Sequence, residues 1–151
     1  MQLNPPNLAE AAPPLAEGRF RLIHPLGEGG MATVYAAVDD RLNVRRAIKV
    51  LSPALSRRSR IRARFIAEAR TMAALEHRNI VRVYDVELDG ERPYIVMELV
   101  EGGSLVDWTA EHGAMPPRLA LDVLTEILHA LKAAHSRGVI HRDIKLSLIH
   151  I

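Results

Sequence analysis

Three short apolar runs open the patterned part of the chain: Phe20–Leu26, Thr33–Val38 and Arg46–Leu51. Turn formers at Gly27–Gly30 and Asp39–Asn43 separate them, so the pattern predicts three strands. Over residues 57–77 the period changes. Ile61, Phe65, Ala69 and Met72 fall at i, i+4, i+8 and i+11, a single apolar stripe that predicts a helix. Ile80–Leu88 and Arg92–Val100 read as two more strands, joined through the hairpin pair Asp89-Gly90. Gly102-Gly103 break the pattern, and Leu105–His112 predicts a short helix. Pro116-Pro117 open a longer one over 117–137, striped by Leu121, Leu124, Ile127, Leu128 and Leu131, with Gly138 suited to a left-handed cap. Strands, helix, strands, then helices imply an α+β fold, a sheet unit joined to a helical one.

Composition narrows the class. The 151 residues are 48% hydrophobic and 25% charged, average for a globular protein and too apolar for a chain disordered throughout. Residues 1–18 hold four of the nine prolines and no Lys or Arg; without periodicity, they are expected to be a disordered Pro-rich tail. No apolar run is long enough for a membrane span, and no basic segment leads into an apolar one as in a secretory signal. The absence of cysteine fits a reducing compartment, so a cytoplasmic location is expected. A net charge of +2 is too balanced to suggest nucleic acid as a partner. Only three of the 20 basic residues are Lys, and two of these fall in motifs.

Five motifs carry candidate chemistry. Gly27-Glu28-Gly29-Gly30 lies between two strands; its backbone N–H groups could cradle a phosphate, or it is a plain glycine-rich hairpin turn. Lys49 sits inside the apolar strand Ala47-Ile48-Lys49-Val50 and either faces solvent or has a partner. Glu68 shares the apolar face of its helix, being three residues from Phe65 and four from Met72. An inward carboxylate needs a cation, either Lys49 or the neighbouring Arg64. The arginines at 57–64 read as a solvated helix start. Tyr94–Val100 runs into glycines, as a hinge or as a strand ending in a loop. In His141-Arg142-Asp143-Ile144-Lys145, the Asp could accept a hydroxyl proton and the Lys neutralise a phosphate.

Together and in this order, the five resemble the protein-kinase signature set, and most closely the bacterial eukaryotic-like Ser/Thr protein kinases. The resemblance runs from Arg19 to Lys145 and implies a protein-kinase-like fold. A five-stranded small lobe with its helix would occupy 19–97, a hinge 98–103, and the start of an incomplete helical large lobe 104–145. It implies phosphoryl transfer from ATP with Mg²⁺ to a Ser or Thr hydroxyl of a protein substrate. Gly27, Glu28, Gly29 and Gly30 would cover the phosphates, with Ala32 standing at the third glycine position. Val34 and Ala47 would sandwich adenine, and Met97 would be the gatekeeper. The Glu98 carbonyl and the Val100 N–H would bind the adenine edge. Lys49 would hold the α- and β-phosphates while paired with Glu68. Met72, Val83 and His141 would stack in the regulatory spine. Asp143 would be the catalytic base and Lys145 would contact the γ-phosphate.

Past Lys145 the pattern departs. The family places a Pro and then a metal-binding Asn where this chain has Leu146 and Leu148, and the Mg²⁺-binding Asp-Phe-Gly does not follow. No metal ligand is therefore assigned. Leu146–Ile151 is what CTG TCT CTT ATA CAC ATC encodes, which matches a transposase adaptor end, so 146–151 is expected to be a non-native tail. The expectation is a Ser/Thr kinase whose present piece is inactive, open to membrane anchoring through a further region. The alternatives are a pseudokinase-like module that binds nucleotide or a partner, and a small-molecule phosphotransferase. The stripe on 117–137 is expected to be left exposed.

Overall fold

The computed structural model describes residues 13–88 and 90–150. Five strands form one antiparallel sheet: β1 (Phe20–Glu28), β2 (Ala32–Asp39), β3 (Val44–Leu51), β4 (Val83–Glu87) and β5 (Tyr94–Met97), in the order β1-β2-β3-β5-β4. The hairpins β1–β2–β3 form in sequence. β5 then inserts between β3 and β4, because Tyr94-Ile95-Val96-Met97 is buried at all four positions and must be covered on both sides. Helices follow the strands: α1 (Pro53–Ser56) and α2 (Ser59–Ala73) after β3, then α3 (Leu105–His112) and α4 (Pro117–His135) after β5. Among the described residues no helix is long and apolar enough to cross a membrane.

Alternation along β3 sorts the core into two clusters. Ile48 and Val50 join Phe20, Leu22, Tyr94 and Val96 on the outer face. Ala47 and Leu51 point the other way, to Ile95, Met97 and the Phe65 and Ala69 of α2. The predicted stripe of α2 is thus what docks the helix on the sheet. Phe65 is fully buried, which is worth about 1.5–3 kcal/mol. Arg62 fixes the approach by donating to the carbonyls of Leu88 and Gly90, at 2.5 and 3.1 Å.

Several boundaries differ from the sequence pattern. Residues 1–12 lie outside the described residues, but Leu15 does not belong to a loose tail. It is 4% exposed and packs in the outer cluster. Its N–H donates to the Phe20 carbonyl and its carbonyl accepts from Phe20. Ala16, Glu17 and Gly18 all have positive φ (50°, 55° and 94°), a tight left-handed turn that folds Leu15 back onto the sheet. Proline content signals the tail but says nothing of one apolar anchor beyond it. The helix predicted over 57–77 is shorter. Ser52-Pro53 start α1 as a separate turn, α2 begins at Ser59, and the chain folds away after Ala73 so that Leu75 is buried. β4 and β5 are trimmed relative to 80–88 and 92–100. Asp89 of the predicted turn lies outside the described residues. Gly138 takes φ +73° after α4, as its cap position requires. Leu121, Leu124 and Leu128 of α4 are 63%, 48% and 54% exposed, as expected of the stripe, whereas Ile127 and Leu131 of the same stripe are half-buried.

Asp39, almost fully buried at the end of β2, closes the β2–β3 turn. One of its oxygens accepts from Arg19 Nε and Nη2 at 3.2 and 2.9 Å; the other accepts from the N–H groups of Arg41 and Leu42. Arg19 also reaches Asp85 of β4 at 3.1 Å. Burial pushes the Asp39 carboxyl up, but Arg19 and the two N–H groups outweigh it and hold the carboxyl below the usual range. A depressed folded value means that stability is present above the unfolded value of about 4 and is lost as pH falls through the folded one. Urea midpoints measured across that acid range should therefore fall steeply for the wild type and less steeply for Asp39→Asn. Leu15→Ala should lower stability by about 2–3 kcal/mol by the same measurement.

Candidate nucleotide site and catalytic loop

The inner face of the sheet places the first four motifs side by side. β1 and β2 meet at the pair Glu28↔Thr33, and the intervening turn closes with Gly29 N–H on the Ala32 carbonyl at 2.8 Å. Ala32, at the third glycine position of the family pattern, is 5% exposed and packs in the inner cluster. Its methyl is therefore spent on the core rather than on the turn. Val34 is cross-strand partner to Lys49, and Ala47 to Met97. Val34, Ala47 and Met97 all belong to the inner cluster.

Within this apolar floor stands one ion pair. Lys49 Nζ lies 2.5 Å from Glu68 Oε1, with side-chain exposures of 20% and 35%. β3 aims the Lys through its alternation, and α2 aims the Glu because residue 68 is three past the fully buried Phe65. The pairing decides between the two sequence readings: Glu68 meets Lys49, not Arg64.

After Met97 the backbone leaves the sheet. Glu98 N–H donates to the Arg82 carbonyl at 2.9 Å, a last tie to the β4 side. Among the described residues, the Glu98 carbonyl and the Val100 N–H have no backbone partner. Gly102 takes φ +102°, and Ser104 starts α3 in a reciprocal cap with Asp107. The Ser104 hydroxyl and N–H hold the Asp107 carboxyl below its usual range, against a weak opposing effect of burial. Arg45 of β3 reaches Glu101 at 2.8 Å, linking the sheet to this connection.

The fifth motif stands apart from these. His141 to Lys145 are all exposed. Arg142 has φ +67°, Asp143 N–H donates to His141 Nδ1 at 3.3 Å, and Asp143 pairs with Lys145 at 3.2 Å. Met72 and Val83 pack on the inner cluster, but the exposed His141 belongs to neither cluster, so the stack of three inferred from the sequence is not assembled. The segment Leu146–Leu148 forms a short 3-10 turn, and Leu105 N–H donates to the Ile149 carbonyl at 2.8 Å. Leu99, inside the strand predicted over 92–100 but given no role there, also packs on the inner cluster, two residues past Met97 and four past Ile95, although β5 itself ends at Met97.

Magnesium calls for several oxygen donors converging on one point. The described residues hold no group of three or more His, Asp or Glu able to bind a metal. Asp143 is alone with Lys145, and Leu146 and Leu148 offer no side-chain donor. These residues do not fit the ion.

A sheet of this order, with a helix carboxylate paired to a strand lysine and a free-backboned connection to helices, defines the protein kinase small lobe and the first part of its large lobe. The protein kinase domain profile matches residues 20–150, and the chain belongs to the protein kinase family. The Streptomyces coelicolor Ser/Thr-protein kinase PksC is 48% identical over 139 residues, spanning 87% of this chain and 25% of that protein. The Mycobacterium tuberculosis Ser/Thr-protein kinase PknL is 40% identical over 131 residues, spanning 87% and 33%. The crystal structure of the M. tuberculosis PknI kinase domain superposes with a TM-score of 0.72 at 29% identity, covering 96% of this chain and 59% of that one. Rad53 in complex with AMP-PNP gives 0.77 at 34% identity, covering 89% and 35%. The chain thus spans a quarter to a third of the length of these two curated relatives.

Because both partners of the Lys49–Glu68 pair are partly exposed, its direct contribution to stability is small. Glu68→Gln should change the unfolding free energy by less than about 1 kcal/mol in urea titration.

Proposed function

We propose that the protein to which this chain belongs is an ATP-dependent Ser/Thr protein kinase, and that the described residues form its nucleotide cleft and the start of its catalytic loop. The observation that carries this reading is the Lys49–Glu68 pair, set in an apolar floor of Val34, Ala47 and Met97. A half-buried cation on such a floor suits a ligand with an apolar ring at one end and phosphates at the other.

In this reading the adenine edge bonds to the Glu98 carbonyl and Val100 N–H, groups that find no backbone partner within the described chain. Val34 and Ala47 enclose the ring, and Met97 closes its rear. Gly27, Glu28, Gly29 and Gly30 present backbone N–H groups to the phosphates, and Lys49 neutralises the α- and β-phosphates, held in place by Glu68. Asp143 accepts the proton of the substrate hydroxyl, and Lys145 stabilises charge on the transferring group; their mutual contact gives way when a substrate enters. Phosphoryl transfer depends on positioning and charge neutralisation. The metal ions that kinases use draw on donors outside the described residues. The substrate is a Ser or Thr hydroxyl of a protein, and the site of action is the cytoplasm, where ATP is held.

One observation favours a second reading, a pseudokinase-like module that binds nucleotide or a partner without chemistry. It is the lack of a metal-binding donor group among the described residues. The two readings separate in the full-length protein. The kinase reading expects phosphate transfer from MgATP to protein Ser or Thr, with Asp143→Asn reducing kcat by about 10²–10⁴-fold and leaving nucleotide affinity intact. Lys49→Met should weaken nucleotide binding in direct titration. Nucleotide affinity without any transfer by the full-length wild type would instead establish the module.

A further inference from the structure

Five arginines crowd residues 57–64, and the nucleotide site uses none of them. Arg62 is committed to the Leu88 and Gly90 carbonyls. Arg57, Arg58, Arg60 and Arg64 are exposed, and among the described residues none of the four meets a carboxylate. At this density the like charges repel one another. Two hydroxyls lie in the same stretch, in opposite situations. Ser56 is buried, and its Oγ donates to the Pro53 carbonyl at 3.0 Å. Ser59 is exposed, sits directly between Arg58 and Arg60, and opens α2, which has no side-chain cap at Arg58 and no acidic residue in its first turn.

We propose that Ser59 is a phosphorylation site, taking the γ-phosphoryl group of ATP from an arginine-directed Ser/Thr kinase acting in trans. A bond forms between Ser59 Oγ and the γ-phosphorus. The bond from that phosphorus to the bridging oxygen of the β-phosphate breaks, ADP departs, and the hydroxyl proton passes to the base of the transferring enzyme. The flanking guanidiniums are what such an enzyme reads in its substrate, and the exposed position gives it access that Ser56 denies. The product carries about −1.5 to −2 charges at neutral pH. It neutralises the arginine cluster and supplies the negative charge that the start of α2 lacks. Ser59 lies on the same helix as Glu68, so the modification steadies the element that presents the carboxylate to Lys49. The inference does not depend on any activity of this chain, because the transferring enzyme is a separate molecule.

The test incubates the full chain with MgATP and a purified arginine-directed Ser/Thr kinase, and maps phosphate by peptide mass spectrometry. Phosphate is expected on Ser59 and not on Ser56, with incorporation lost in Ser59→Ala. Amide exchange over residues 60–64 should then slow about two- to fivefold on phosphorylation. The slowing should be smaller, but still present, in the triple variant Arg57→Gln, Arg58→Gln, Arg60→Gln with phosphoserine installed at 59 by genetic encoding, because only the interaction with the helix start then remains. No phosphate at Ser59, phosphate on Ser56 instead, or unchanged or faster exchange in the Ser59-phosphorylated chain would overturn the proposal.

Discussion

Everything in the small lobe is arranged so that one lysine and one carboxylate can meet on a surface made of alanine, valine, methionine and phenylalanine. Both side chains keep some contact with solvent, and on an apolar floor each charge is better placed beside the other than alone. Their contact therefore demands that β3 and α2 approach in one relative position, and the docking of Phe65 and Ala69 on Ala47, Leu51 and Met97 provides it. The same docking requires β5 to lie beside β3, because Ile95 and Met97 form part of the surface that α2 covers. Arg62 adds a second fixed point at the β4–β5 connection. The ion pair contributes little free energy itself; its value lies in making the helix position a condition for satisfying both charges.

The two ends of the site differ in how they are held. The cleft side is defined by strand register and buried packing, and its members stay in place through many weak contacts. Residues 141–145 are held by contacts within the segment, Asp143 to Lys145 and Asp143 N–H to His141, and the chain is next tied to α3 where Leu105 N–H meets the Ile149 carbonyl. The exposed leucines of α4 belong to the same contrast. An apolar helix face this open is a surface made to be covered, and the loop beyond it lacks the packing that would seat His141 against Met72 and Val83.

Much of this was legible in the sequence, for identifiable reasons. Strand and helix periods located every strand and the stripe of α2, because burial on one face imposes those periods. The partner of Glu68 was left as a choice between two cations, since a helix period says which face a residue shares but not what lies opposite. What the pattern missed was non-periodic. Leu15 is a single apolar residue behind a turn with positive φ at two non-glycine positions, which no composition rule anticipates. Asp39 is buried because its turn and Arg19 together satisfy both oxygens, a three-body arrangement invisible in a linear pattern.

The way Leu15 is seated has a practical consequence. Pro13 is tied through its carbonyl to Arg92, and Leu15 is pinned against Phe20 in the outer cluster, so residues 13–15 lie on the opposite face of the sheet from Lys49. Anything joined through residue 13, such as a fluorophore, an affinity handle or a neighbouring domain, is delivered to the back of the lobe.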